Sequence, residues 1–358
     1  MKVIWRIGVL LILVLAFLYY MDDRVLENEL LESPVNHGNP IPVPPSGEES
    51  RMDALARPTK GISTFVGKKA DALVEVFGEP DRKEPSGYGF HWWVYRGADR
   101  LMAGVQDGVV MQIYSADVKA DVTPFTISQQ VEEIRRFTIM ESEVNVKVDN
   151  NIYTFTLNSD DMKNRVLVPY EGVYAQLYID DVDGALEAVR FIDPIMLVIQ
   201  QPYDMAYMGN MVTAERPSSM VQMEVNHAME LQIFELTNHY RIKHDLPELV
   251  WDEQLDVVAS EHSKDMAIEN YFSHESPGTG NLANRLKAAD IIHKKAGENI
   301  AFNYVDAIEA VHGWLNSPAH RNVLLDKDFT HIGTGAYGKY YTQDMIRRVA
   351  EETEPEEE

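Results

Sequence analysis

From Ile7 to Met21 the chain runs without a single charged residue, with Lys2 and Arg6 before the run and Asp22-Asp23 after it. Counted from Val3, this segment supplies about 19 residues, close to the roughly 20 that carry a helix across a bilayer. Positive charge ahead and negative charge behind place the N-terminus in the cytoplasm and everything that follows outside. The run ends Ala16-Phe-Leu-Tyr-Tyr-Met21, without the small residues of a cleavage site, and the paired tyrosines suit an interface. An uncleaved signal anchor over residues 1–22, a transmembrane helix, is therefore expected. The protein is then a single-pass cell-membrane protein with extracytoplasmic domains; cleavage and secretion are the alternative.

At 358 residues the chain is too long for one core and suits two domains plus a tether. Acidic residues outnumber basic ones 57 to 32, for a formal net charge of -25. Such a surface repels phosphate backbones and anionic lipid headgroups, which argues against a nucleic-acid partner. The chain contains no cysteine, so disulfides, thiolate zinc sites and cysteine nucleophiles are excluded.

Residues 23–60, with the Pro-rich stretch Pro34 to Pro45, read as a linker. Residues 61–200 read as a mixed α+β domain. A helix over Lys68–Phe77 stops at Gly78 and Pro80. Strands follow near Phe90–Tyr95, Leu101–Gln106 and Val109–Tyr114, then near Val144–Val148, Ile152–Leu157, Arg165–Val168, Val173–Ile179 and Leu186–Phe191. Asp107-Gly108 is a type I′ hairpin signal, and Asp183-Gly184 supplies a matching turn. Leu101 and Leu177 each lie six residues before their Asp-Gly, and Asp117 and Asp193 ten after the turn aspartate. Two readings stand: an internal duplication, or two unrelated hairpins with the same favoured turn. Residues 201–222 read as a connection, 223–348 as a second domain and 349–358 as a solvated acidic tail.

Nine of the eleven histidines lie after residue 220. Asp252 is an N-cap candidate for a helix bearing Leu255, Val258, Ala259, His262 and Met266 on one side. His274 falls in the loop after it. Asp306 caps a helix to Trp314 that Pro318 interrupts, so His320 is placed just beyond its end. His331–Tyr337 and Tyr340–Ile346 read as strands. Two imidazoles and the Glu298 carboxylate can make a three-ligand zinc site with an open position, or a two-histidine site with Glu298 as base. Spacing alone does not bring them together. His262, on an apolar helix face, reads as a satisfied core histidine, and His312 and His331 default to structural or surface roles.

Ordered motifs go further: Asn238 and Arg241, Leu249-Val-Trp-Asp252, Ser273-His274, Gly297-Glu298-Asn299, Trp314-Leu-Asn-Ser-Pro-Ala-His320-Arg and Tyr340-Tyr-Thr-Gln343. With these, the run from about Ala228 to Ile346 resembles the CAP superfamily of cysteine-rich secretory, antigen 5 and pathogenesis-related proteins. The resemblance implies an α–β–α sandwich with a groove in which His274, Glu298 and His320 meet. Asn299, Ser317 and Gln343 are candidates to line that groove, and the two histidines to hold a divalent metal, often zinc. The family's fuller pattern has a second glutamate where this chain has Ser317; Glu309 is a candidate substitute. Phe77-Gly-Glu-Pro80-Asp-Arg82, Tyr88-Gly-Phe-His-Trp-Trp-Val-Tyr95 and the Asp107-Gly108 hairpin make residues 61–200 similar to the CAP-associated N-terminal domain of Bacillus-type proteins. The function this implies is binding of a peptide, lipid or cell-envelope ligand in the groove. The alternatives are a zinc-dependent hydrolase with Glu298 as the catalytic base, and a purely structural envelope partner. No G-x-S-x-G elbow supports serine catalysis.

Overall fold

The computed structural model describes residues 25–26, 28–35, 40–43, 54–97 and 100–349. The expected membrane helix and the acidic tail beyond Val349 lie outside the described residues. Among the described residues no helix is long and apolar enough to cross a membrane. The chain divides into two compact units, one of residues 33–228 with 303–305, the other of residues 229–302 and 306 onward together with the N-terminal residues up to Glu32.

The stretch that composition marks as a spacer is built into sheets where it is described. Strands β1 (Val25–Leu26) and β2 (Leu31–Glu32) join the sheet of the second unit, and β3 (Ile41–Pro42) joins a sheet of the first. Two-residue strands need only an open strand edge to dock, and a composition rich in Pro and Glu hides them.

In the first unit, seven antiparallel strands form one sheet. They are β4 (Arg82–Pro85), β5 (His91–Tyr95), β6 (Leu101–Gln106), β7 (Val109–Ser115), β10 (Arg165–Tyr170), β11 (Val173–Ile179) and β12 (Leu186–Ile192), in the order β10-β11-β12-β7-β6-β5-β4. A three-stranded meander (β10 to β12) and a four-stranded one (β4 to β7) thus meet along β7 and β12, with Ile113 opposite Phe191. Helix α1 (Asp71–Phe77) sends Leu73 into a core shared with Val110, Ile113, Ala175, Leu177 and Val189, and helix α2 (Pro194–Gln200) follows β12. Strands β8 (Glu143–Val148), β9 (Asn151–Thr156) and β13 (Asp204–Met208) make a four-stranded sheet with β3. The two Asp-Gly turns differ. Asp107 and Gly108 both take positive φ, as a type I′ hairpin requires. Between β11 and β12 only Gly184 does, and the loop is longer, closed by Val182 and Gly184 amides donating to Asp180.

The second unit centres on β15 (His293–Phe302), β17 (Tyr340–Arg348), β16 (His331–Tyr337) and β14 (Val250–Trp251), in the order β15-β17-β16-β14. Helix α3 (Ser219–Lys243) and helix α4 (Glu253–Ile268) cover opposite faces. The Thr334 hydroxyl donates to the Glu230 carbonyl of α3 at 3.0 Å, while its neighbours Gly333 and Gly335 press against the α4 backbone at Leu255 and Ala259. Adjacent strand residues point to opposite faces, so this is an α–β–α sandwich. Asp252 caps α4, its carboxylate accepting from the Gln254 and Leu255 amides. Three shorter helices follow: α5 (Leu282–Ala288), α6 (Ala307–Asn316) and α7 (Pro318–Leu324). Pro318 ends α6 and also begins α7, since its fixed φ and missing N–H suit a first helical turn. His320 therefore lies beyond the end of α6, as expected, and inside the short helix α7.

Candidate functional site

The site is built around two consecutive residues of β15. Glu298 and Asn299 point to opposite faces of the sheet, so each organises its own polar group.

On the α4 face, the Glu298 carboxylate is fully buried. Its Oε1 is 2.8 Å from His274 Nδ1, and its Oε2 forms an ion pair with Arg285 of α5 and lies 4.0 Å from His262 Nε2 of α4. Arg285 also donates to the carbonyls of His274 and Gly280, pinning the loop that carries the histidine. Asp265 steadies that loop from the other end, accepting from the hydroxyls of Tyr271 and Ser276. Directly across the ladder from Glu298 stands Asp344.

On the α3 face, Asn299 Nδ2 donates to the His320 carbonyl at 3.1 Å and to Gln343 Oε1 at 2.9 Å. Gln343 donates on to Thr237 of α3 at 2.6 Å. Ser317 Oγ sits 2.7 Å from His320 Nδ1, so the residue that replaces the family's second glutamate orients the imidazole without charging it. The charge of Glu309 acts on Lys339. The structure thus joins His274 directly to Glu298, and His320 to Ser317 and Asn299. No hydrogen bond links Glu298 to His320. Both histidines keep a buried Nε2 without a partner.

Electrostatics separates the groups. Burial alone would raise the Glu298 pKa, but the His274 hydrogen bond and the Arg285 charge hold it well below the ordinary carboxylate range. Burial, followed by the Glu298 charge, pushes Asp344 well above that range. The two facing carboxyls are thus driven apart, and the one paired with the arginine keeps its charge the more readily. His320 is lowered to about 4 by burial first and the nearby His274 second, with the Glu29 backbone acting in the opposite sense.

His262 and Arg285 are the site residues that sequence reasoning missed. His262 is buried, as its place on an apolar helix face implies, yet neither ring nitrogen has a partner. It is not the satisfied core histidine expected. Satisfied examples are nearby: His312 Nε2 lies 3.0 Å from the Tyr240 hydroxyl, and Asn238 exchanges two hydrogen bonds with the Leu249 backbone. The pKa of His262 is lowered to about 4, by burial first; Glu298 opposes this, and Arg285 and His274 reinforce it. The neutral ring's stabilisation is complete above the unfolded value of 6.5 and is lost as pH falls toward 4. The stability difference between wild type and His262→Asn should therefore shift by about 3 kcal/mol in the variant's favour from pH 7 to pH 4. Urea denaturation at the two pH values measures it, and a pH-independent difference would show that the ring is not buried neutral.

Among the described residues no group of three or more His, Asp or Glu side chains stands together as a metal-ligand set. Glu298 is occupied by Arg285 and His274 and does not fit as a third zinc ligand. The two unpartnered Nε2 atoms of His274 and His320 do fit as imidazole donors.

Comparison with known proteins agrees with this fold. Residues 66–203 match the CAP-associated N-terminal family and residues 234–347 the cysteine-rich secretory protein family. The chain belongs to the CAP family, in the group that carries the CAP-associated N-terminal domain. It is 39% identical over 306 residues, 85% of this chain and 88% of the relative, to the Uncharacterized membrane protein YlbC of Bacillus subtilis (strain 168). A crystal structure of an extracellular protein containing a SCP domain from Bacillus anthracis str. Ames is 36% identical, with a TM-score of 0.77 over 86% of this chain and 100% of that one. A cysteine-rich secretory protein (SAV1118) from Staphylococcus aureus shares the fold, with a TM-score of 0.76 at 24% identity over 91% of this chain and 100% of that one.

Proposed function

We propose that the protein is an extracytoplasmic binding module, held at the cell membrane by its N-terminal apolar run. Its CAP domain takes up a peptide, lipid or cell-envelope ligand beside His274, Glu298 and His320. The state of Glu298 carries this reading. A general base works best with a pKa near the operating pH, whereas this carboxylate is buried, paired with an arginine and held far below it. It is spent on fixing Arg285 and the His274 loop. What remains free to meet a ligand is a set of buried imidazole nitrogens without partners, on His274, His320 and His262. Resemblance to a relative called a membrane protein and to an extracellular one supports the location.

The test is retention of labelled cell-wall fragments or lipid vesicles by the purified chain, beside a His274→Ala/His320→Ala variant. Retention should fall at least about tenfold in the folded variant. Equal retention, or release of a chemically altered product by wild type only, would defeat the binding reading. The second reading is a metal held by His274 and His320, favoured by their two unpartnered Nε2 atoms. Such an ion would supply Lewis acidity and activate a bound water. Metal content after dialysis against trace zinc, lost in the same double variant, tests it independently of any activity.

A further inference from the structure

We propose that the free edge of β15 is a strand-addition site for an extended peptide, and that residues 25–32 of the chain are its built-in occupant. The inference rests on the binding reading above and names the ligand chemistry that one edge of that site recognises.

Without those residues β15 would be an edge strand. Its other side is fully used by β17, along a ladder from His293 opposite Arg348 to Phe302 opposite Tyr340. A free edge presents unpaired backbone donors and acceptors, a template for any extended chain. Here the chain fills it, running parallel to β15 in two short pieces. Val25 and Leu26 pair with Ala296 and Gly297, and Leu31 and Glu32 with Ala301 and Phe302. The stretch from Leu26 to Leu31 is one residue longer than that from Gly297 to Ala301, so the pairing register differs by one residue between the two contacts and leaves a gap in the ladder. The gap falls opposite Glu298 and Asn299, the two residues on which the site is built.

Asn28 bridges the gap with its side chain. Its amide donates to the Glu298 carbonyl at 3.2 Å and to Asn299 Oδ1 at 2.6 Å. Asn299 is fully buried, and its own amide is taken by the His320 carbonyl and Gln343. Its acceptor oxygen therefore depends on the strap, and removing Asn28 would leave a buried acceptor unpaired. Next along the strap, the Glu29 backbone lies close enough to His320 to act on its charge. An occupant of this edge must bring a donating amide, flanked by backbone that can pair at both ends. That is peptide chemistry, in the manner of strand addition.

The strap is lightly held. Each ladder is two residues long, Val25 packs against the core cluster of Leu255, Leu282 and Ile346, and Leu30 is 49% exposed. Ordering eight residues opposes these few contacts, so the occupant is exchangeable for a peptide of the same pattern.

The absence of native cysteine makes the test clean. Val25→Cys/Ala296→Cys places one thiol pair at a strand partner position in the full-length chain in detergent or nanodiscs. Mild oxidation should close it within one chain. A fluorescent peptide with the sequence of residues 24–33 should bind the Asn28→Ala form of this variant at least about tenfold more tightly when reduced than when oxidised. Replacing the peptide's own asparagine by alanine should cost about tenfold on the reduced form. As a check independent of the buried cysteine, hydrogen exchange of residues 25–32 should quicken in the single variant Asn28→Ala. A cross-link between chains, equal peptide affinity in the two redox states, or unchanged exchange would overturn the proposal. Peptide uptake without retention of envelope fragments would uphold this inference and defeat the general binding reading. Fragment retention indifferent to the lock would do the reverse.

Discussion

Replacing Arg285 with alanine should destabilise the CAP unit by about 3–5 kcal/mol, among the largest effects of any single polar substitution in it. The reason lies in what is left behind. Glu298 is fully buried, and Arg285 is its ion-pair partner, with His274 as a second contact. Taking away the guanidinium strands a carboxylate away from water and also releases the carbonyls of His274 and Gly280. The stranded group will take up a proton rather than remain charged, so the loss should shrink at low pH. Glu298→Gln in the Arg285→Ala background should recover part of the stability at pH 7, because no charge is then stranded. Urea unfolding of the four chains of this double-mutant cycle gives both numbers. A loss below about 1 kcal/mol for Arg285→Ala would mean that the carboxylate is hydrated and the ion pair superficial.

Gly335→Ala should be at least as damaging, for a reason that involves no charge. A Cβ at Gly335 would stand 2.2 Å from the Ala259 carbonyl oxygen and 2.5 Å from the Ser260 nitrogen, both backbone atoms of α4. No rotamer change relieves such a clash; the helix must lift off β16, and Gly333 two residues earlier meets the Leu255 carbonyl carbon at the same 2.2 Å. Small-to-large changes in packed interiors cost about 1–3 kcal/mol where side chains can shift, and here they cannot. The variant should therefore lose about 4 kcal/mol or fail to accumulate as folded protein, whereas Gly338→Ala, in the open turn between β16 and β17, meets nothing within 4 Å and carries only the strain of its positive φ. Thermal melts of both variants would compare them. A Gly335→Ala protein as stable as Gly338→Ala would mean that α4 and β16 are not in backbone contact.

Sequence patterns revealed most of what local chemistry controls. The strands Leu101–Gln106, Val173–Ile179 and His331–Tyr337 follow from alternation and turn residues, and Asp252 and Asp306 are caps because their carboxylates can reach the first-turn amides. What stayed hidden depends on long-range burial. The strand that carries Glu298 reads His-Lys-Lys-Ala-Gly-Glu-Asn-Ile-Ala-Phe, poor in β-branched residues, because helices cover both its faces and polar side chains pair inside. Arg285, on a seven-residue helix with a lysine two positions on, looks like a solvated charge until Glu298 is found opposite it. His262 looks satisfied because apolar neighbours say nothing about ring nitrogens. The resemblance of Gly297-Glu298-Asn299 to a family motif pointed to this candidate site, but it did not say that its two polar residues face opposite ways.

Only Asp22, Asp23 and Arg24 separate the end of the apolar run from β1. An occupant joined to its own receptor competes at an effective concentration on the order of millimolar, whatever the protein's abundance. A freely diffusing peptide therefore has to exceed that figure relative to its affinity before it displaces the strap. If the apolar run lies in a bilayer, a rival confined to the same surface meets the edge at a comparable local density. The edge then answers to crowding at a surface, and dilution of the surrounding fluid leaves it unchanged.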